Sequence, residues 1–343
     1  MKRQNNRKVV LAKQPGALNR KQQIATSGNS ARSSTSMSIY QMANQRPHDH
    51  LKLLVIRSLG GIGDILMTTP CVRQLKEDFP NCTIDYATDR HSTKEDAYYQ
   101  LVKNAPFIDN VLDARRVDKS KYDGWVDITS VCIRYENGNL PPLNRIDIFA
   151  RACGMPRLKN PVPFYHVEGD EHVAALKQVA DLRAQGKKLV FLHTASFDKK
   201  RCWPENRYRE LIEQAKAYPQ IHFLLSDFNN VLPNKASYTN CLDVTNGSIR
   251  GLAATIDVAD LFVGPDSGPM HLAGTLNKTG LVLFGAIPPQ ARINYYRTLK
   301  AVEPLNYACG TPHCFYKKCD FNTRCMSDIP ASRVLALINE QLK

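Results

Sequence analysis

No apolar run in these 343 residues approaches the roughly 20 needed to cross a bilayer as a helix. A membrane-spanning chain is therefore not expected. No apolar segment of a secretory signal follows the basic N-terminus either, because a largely polar stretch comes next. Framework cysteine spacing is missing too. Six of the ten cysteines, Cys71, Cys82, Cys132, Cys153, Cys202 and Cys241, are scattered, which argues against a disulfide scaffold and for a cytoplasmic protein. Two phosphate-binding glycine motifs are also absent. A dinucleotide fingerprint would need glycine where Leu66 stands, and a Walker loop would need glycine before Lys119-Ser120 or Lys278-Thr279.

What is present is a globular composition, 43% hydrophobic, in a chain long enough for two domains. The net charge of +14 is unevenly placed: residues 1–50 hold nine Lys/Arg against one acid, Asp49, leaving +6 for the rest. Rich in Ser, Asn and Gln, this tail is expected to be disordered and dispensable for folding. A basic tail suits contact with an anionic membrane surface or nucleic acid, and a solvated leader is the plain alternative. Contact with a membrane surface of that kind would place the protein peripherally at the inner face of the membrane.

The chain is organised around residues 51–70. Leu53, Leu54, Val55 and Ile56 read as a buried parallel strand. A turn of Ser58, Gly60, Gly61 and Gly63 follows, and Asp64 then opens a helix expected to reach about Phe79. Strand, glycine turn and helix start place bare N–H groups at the carboxyl edge of a sheet, where anions and sugars bind. Asp64 is either a helix cap or a carboxylate held over that edge as a base.

Further strands are expected at 82–89, 110–115 and 125–130, with helices around 93–104 and 143–153. A helix over 168–186 would close the first unit. A second unit starts with the strand 187–196. It continues through strands at 221–227, 241–247, 261–268 and 279–286, with helices to about Ala217, over 248–260 and from Pro269. Alternating strands and helices in two successive units imply an α/β fold of two Rossmann-like domains facing a cleft.

With both halves in view, the sequence resembles glycosyltransferase family 9, the heptosyltransferases. The residues carrying this are V-I-R-S-L-G-G-I-G-D-I-L-M-T-T-P (55–70), H-T-A-S with R-C-W-P (193–204), V-G-P-D-S-G-P-M-H-L-A (263–273), and four cysteines ending in C-M-x-x-I (309–329). The resemblance implies a GT-B fold: a disordered tail over 1–50, an acceptor domain over 51–186 and a nucleotide-sugar domain over 187–343. It implies inverting transfer of a sugar, commonly heptose from ADP-heptose, to a cell-surface glycan or glycolipid such as the lipopolysaccharide core. Asp64 matches the family's catalytic base. Arg201 stands where relatives often carry a phosphate-binding lysine, and Asp266 matches the aspartate that contacts the sugar. Ser267, Gly268 and Pro269 lead into a helix facing the phosphates, and Thr194 and Ser196 fall in the other donor-facing loop.

The residues also carry plainer readings. Asp266 suits a turn, Arg201 a surface charge, and His271 a packed histidine. Leu225-Ser226-Asp227-Phe228 departs from the Gly-Gly-Glu pattern that relatives show near the ribose, which bears on the ADP moiety. No D-x-D pair sits at a strand end, which suits metal-independent chemistry. Two other functions compete: a glycosyltransferase directed to nucleic acid by the tail, and a non-catalytic sugar-nucleotide binder. Cys309, Cys314, Cys319 and Cys325, with His313 among them, suit a structural zinc or iron, packed thiols or a labile disulfide. Such a site would fasten the loop before the last helix, 331–342, and is expected to lie remote from the chemistry.

Overall fold

The apolar run at 53–56 forms β1 (Lys52–Arg57), buried at every position but the first. Residues 37–90, 96–137, 143–245, 247–310, 312, 314 and 318–343 are described here by a computed structural model. β1 pairs in parallel with β2 (Thr83–Thr88) and with β4 (Gly124–Asp127), and β2 carries β3 (Asn110–Asp113) at the edge. The order of this first sheet is β3-β2-β1-β4.

A second parallel sheet follows, with order β10-β9-β8-β5-β6-β7. Its strands are β5 (Lys188–His193), β6 (Ile221–Ser226), β7 (Cys241–Asp243), β8 (Leu261–Pro265), β9 (Gly280–Leu283) and β10 (Leu299–Val302). Nine of these ten strands lie where apolar runs predict them. The tenth, β10, is four residues long and exposes Lys300 and Ala301, so its sequence carries no continuous apolar signal. Being parallel, each sheet gathers its strand ends, and the loops that follow them, along one edge.

The helix expected from Asp64 to Phe79 is two helices, Ile62–Leu66 and Thr69–Asp78. Pro70 causes the break, since its ring cannot sit over the carbonyl four residues earlier. The Thr68 and Thr69 hydroxyls donate to the freed carbonyls of Ile65 and Leu66, each at 2.7 Å. The expected helix 168–186 likewise divides into Gly169–Gln178 and Ala180–Ala184.

The expectation of a disordered tail through residue 50 fails over its last stretch. Ser38 caps a helix, Ile39–Gln45, through a capping box with Gln41, and Ile39 and Ala43 are buried in the main core. Tyr40 donates to Asp78 at 2.9 Å, and its backbone N–H donates to the Cys153 carbonyl. An amphipathic turn with two apolar anchors outweighs the polar composition around it. Residues 1–36 lie outside the described residues.

Candidate active site

Asp64 is the third residue of the helix Ile62–Leu66, not its cap; Gly61 holds that place. Its Oδ2 accepts from the Gly61 N–H at 3.1 Å. The other oxygen, Oδ1, accepts from Arg145 Nη1 at 2.6 Å, and Arg57 Nη2 stands 3.4 Å from Oδ2. Burial alone would raise the pKa of this carboxyl. Arg145, then Arg57 and the Gly61 N–H, outweigh that and hold it well below the usual carboxylate range. Arg57 is fixed in turn: it donates to the carbonyls of Ile128 and Thr129, and its guanidinium lies over the Phe149 ring at 5.1 Å.

The three glycines of the turn are not equivalent. A β-carbon at Gly60 would come within 2.8 Å of Arg57 and 2.9 Å of the Asp64 β-carbon. One at Gly61 would meet nothing, so Gly61 serves the cap and not a close approach. Gly63 faces the other half of the molecule.

In that half, Asp266 directly follows β8 and is buried. Its Oδ2 lies 3.2 Å from Arg201 Nη1 and 3.5 Å from Arg292 Nε. Burial raises its pKa, while Arg201, Arg292 and His271 lower it more, so it too stays ionised. Asp266 is thus an ion-pair partner and more than a turn residue. Ser196 donates to the Asp266 carbonyl at 2.8 Å, which ties the two expected donor loops together. Ser267 precedes the helix Gly268–Thr275, and its hydroxyl donates to the Pro265 carbonyl instead of capping. Gly268 and Pro269 open that helix; a β-carbon at Gly268 would meet Ile62 at 2.8 Å. Arg201 Nε is buried without a hydrogen-bond partner.

Thr194 is turned away from this group. It is fully buried and donates to Asp227 Oδ1 at 2.6 Å. Asp227 also accepts from the N–H groups of Val231 and Leu232 at 2.9 and 3.0 Å. The departure at Ser226-Asp227 therefore builds its own loop, with Thr194 as part of the scaffold. His271 is a packed histidine: its Nδ1 lies 2.9 Å from the Tyr296 hydroxyl, and burial lowers its pKa to about 4.

The residues that sequence reasoning missed are Arg57, Glu136, Arg145 and Arg292. Arg145 Nε and Nη2 donate to Glu136 Oε1 and Oε2 at 2.8 and 2.7 Å, and Arg292 Nη1 stands 3.6 Å from Glu136. Arg57 left a signal, a lone charge at the end of an apolar strand just before the glycine turn. The other three left none: Arg145 lies 81 positions from Asp64, and Arg292 lies 156 positions from Glu136.

The cysteine loop is not remote from this site. A β-carbon at Gly285, just past β9, would meet Cys325 Sγ at 2.7 Å, which puts Cys325 at the carboxyl edge of the second sheet. Trp203, two residues after Arg201, donates to the Ile329 carbonyl at 3.0 Å. Burial, then the neighbouring thiols Cys314, Cys319 and Cys309, push the Cys325 thiol up to about 11. Among the described residues, no three His, Cys, Asp or Glu side chains converge to hold a metal ion. His313 lies outside the described residues.

The sequence profile of glycosyltransferase family 9 (heptosyltransferase) matches residues 143–323. Lipopolysaccharide heptosyltransferase 1 of Campylobacter coli is 26% identical over 178 residues, which are 48% of this chain and 51% of that protein. The chain thus matches about half the length of that curated relative. The solved Escherichia coli ADP-heptose lipopolysaccharide heptosyltransferase II superposes with a TM-score of 0.59 at 16% identity, covering 85% of this chain and 98% of that one. The iron-containing dodecameric glycosyltransferase TibC of enterotoxigenic E. coli gives 0.62 at 15% identity, covering 86% and 79%. At such identities the likeness is one of fold, and the fold is the GT-B arrangement expected from the sequence.

Proposed function

Because the chain belongs to glycosyltransferase family 9 (heptosyltransferase), we propose that it moves a sugar, with inversion, from a nucleotide-diphosphate donor to a glycan hydroxyl. The donor is ADP-heptose and the acceptor a cell-surface glycan or glycolipid of the lipopolysaccharide core type. Residues 51–186 serve the acceptor side and residues 187–343 the donor side. The protein works in the cytoplasm, at the inner face of the membrane.

The observation that carries this reading is the placement of Asp64 and the Arg201–Asp266 pair. Asp64 follows a strand of the first sheet and the pair follows strands of the second, on either side of the contact between the helices Ile62–Leu66 and Gly268–Thr275, where Ile62 lies against Gly268. Inverting transfer needs a base on one side of the anomeric carbon and positive charge on the other. Asp64, ionised at neutral pH, takes the proton of the acceptor hydroxyl. Arg201, whose buried Nε lacks a partner, receives the diphosphate with the first N–H groups of the helix Gly268–Thr275. Asp266 and Ser196 fix the position of Arg201 and of the sugar. This charge comes from the chain itself, so the transfer step needs no metal.

A thermal-shift panel of ADP-, UDP-, GDP- and CDP-sugars tests the donor. Ligand at about 100 times its Kd adds about 2.7 kcal/mol to stability. ADP-heptose is expected to give the largest shift. An equal response to all four, or to none, would remove the donor assignment.

A further inference from the structure

The peptide between Gly60 and Gly61 is held at both ends. Its N–H donates to Asp64 Oδ2 at 3.1 Å, and its carbonyl accepts from the Tyr98 hydroxyl. The first contact alone is half of a helix cap, of the kind an acidic third residue commonly makes. The second comes from another element, the helix Ala97–Val102, and no cap requires it. In a trans peptide the carbonyl and the N–H point in opposite directions from one rigid plane. A group that grips the carbonyl therefore aims the N–H, here at the carboxylate of Asp64.

That grip matters because both residues are glycines. Gly60 sits at φ +154°, a conformation that suits glycine, and open space lies where a β-carbon would stand at Gly61. Packing on Gly61 thus does not hold the plane. A turned plane would bring a carbonyl oxygen towards Asp64 in place of the N–H and push the carboxylate from its seat. Tyr98 is itself firmly set. Leu101 and Val102 of its helix lie in the main core, and at the entry of the helix Arg90 donates to Asp96 and covers the Tyr99 ring at 3.9 Å. Burial, then the charge of Asp64, raise the pKa of the Tyr98 hydroxyl, so it remains a donor at neutral pH.

We propose that Tyr98 is a positioning residue for Asp64: through the Gly60–Gly61 peptide it fixes the orientation of the carboxylate that takes the acceptor's proton. The proposal rests on the reading of Asp64 as the base.

Two measurements on the full chain test this. Amide hydrogen exchange followed by NMR reads the peptide plane directly. Tyr98→Phe keeps the ring and removes only the hydroxyl, and it should speed exchange of the Gly61 amide by roughly tenfold or more, as expected when a bond to a charged group is lost. The Met67 amide, which donates to the Gly63 carbonyl at 2.9 Å in the helix that follows, should exchange as before. Kinetics with ADP-heptose as donor read the consequence. Here kcat should fall by roughly tenfold, within the range for a displaced catalytic group, while KM for ADP-heptose holds. A Gly61 amide that exchanges at the parent's rate, or an unchanged kcat, would overturn the proposal. Faster exchange at Met67 as well would overturn it too, because the helix would then have loosened as a whole. Asp64→Asn separates the two levels. If that variant keeps full turnover, the base assignment itself has failed, and the exchange result still judges the grip of Tyr98 on the peptide. If it is slow, adding Tyr98→Phe should cost little more, since the group through which Tyr98 acts is gone; a further full loss would show that Tyr98 acts by another route.

Discussion

The ring of His271 occupies the space that a β-carbon would need at Gly63, 2.1 Å from where that carbon would stand. Gly63 belongs to the helix that carries Asp64, and His271 to the helix that begins beside Asp266. The closeness of the two halves therefore depends on a missing methyl group. His271 cannot retreat easily, since it is buried and meets the Tyr296 hydroxyl at 2.9 Å. Gly63→Ala should cost about 1–3 kcal/mol, the usual range for overpacking, and should lower turnover by spreading the two helices. Urea unfolding with a parallel turnover assay checks both. A variant as stable and active as the parent would show that the ring has room to move.

Asp64→Asn keeps the shape of the side chain and its acceptor for the Gly61 N–H, but it cannot take a proton. Donor affinity should hold while turnover falls by roughly 10²–10⁴, the usual contribution of a general base. Titration with ADP-heptose beside a turnover assay decides it. Near-normal turnover would remove Asp64 from the mechanism.

How much of this was legible in the sequence follows from how each feature is encoded. Strands such as β1 and β5 are continuous apolar runs bounded by small residues, so composition alone reveals them. Asp64, Arg201 and Asp266 lie in local motifs beside glycine, tryptophan and proline, and those motifs point to the edge where the structure gathers them. Glu136, Arg145 and Arg292 sit in ordinary helical or loop sequence; only folding brings them together. Thr194 shows the reverse error, a residue in the right loop whose hydroxyl turns inward to hold Asp227.

Arg201→Ala removes the guanidinium whose Nε has no partner and leaves Asp266 facing Arg292. ADP-heptose affinity should weaken roughly tenfold to a hundredfold, the range for losing a hydrogen bond to a charged group. Arg201→Lys should recover part of the loss, since it restores charge without the fork. Isothermal titration measures each. Unchanged affinity in the alanine variant would take Arg201 out of the donor site.

Two buried histidines make stability depend on pH in a definite direction. Burial lowers both His193 and His271 to about 4. In the unfolded chain they bind protons near 6.5. Their contribution is therefore complete above pH 6.5 and is lost as pH falls from there towards 4, by up to about 1.4 kcal/mol per pH unit for each. His193→Gln should flatten that slope between pH 6.5 and 4.5, measured by urea unfolding. An unchanged slope would mean that His193 is protonated in the folded state too.

The last prediction concerns where the N-terminal region stops being dispensable. The helix Ile39–Gln45 buries Ile39 and Ala43, and Tyr40 meets Phe79 edge-on with ring centroids 5.3 Å apart while bonding Asp78. Burying one isoleucine contributes about 1.5–3 kcal/mol, and each kcal/mol moves Tm by about 2–4 °C in domains of this order of size. Deleting residues 1–50 should therefore lower Tm by roughly 5–10 °C and loosen the surface that Asp78 and Cys153 present to this helix. Deleting residues 1–36 removes eight of the nine basic residues of the region and cuts next to the boundary between the two compact units, at Met37 and Ser38. That shorter deletion should leave Tm unchanged while weakening attachment to anionic vesicles, an attachment that salt should also weaken. If both deletions melt with the full chain, the helix contributes nothing to stability and its buried side chains are replaced by others. If the shorter deletion already melts several degrees lower, residues before Met37 hold contacts of their own. Melting curves of the two deletions beside the parent protein separate these outcomes.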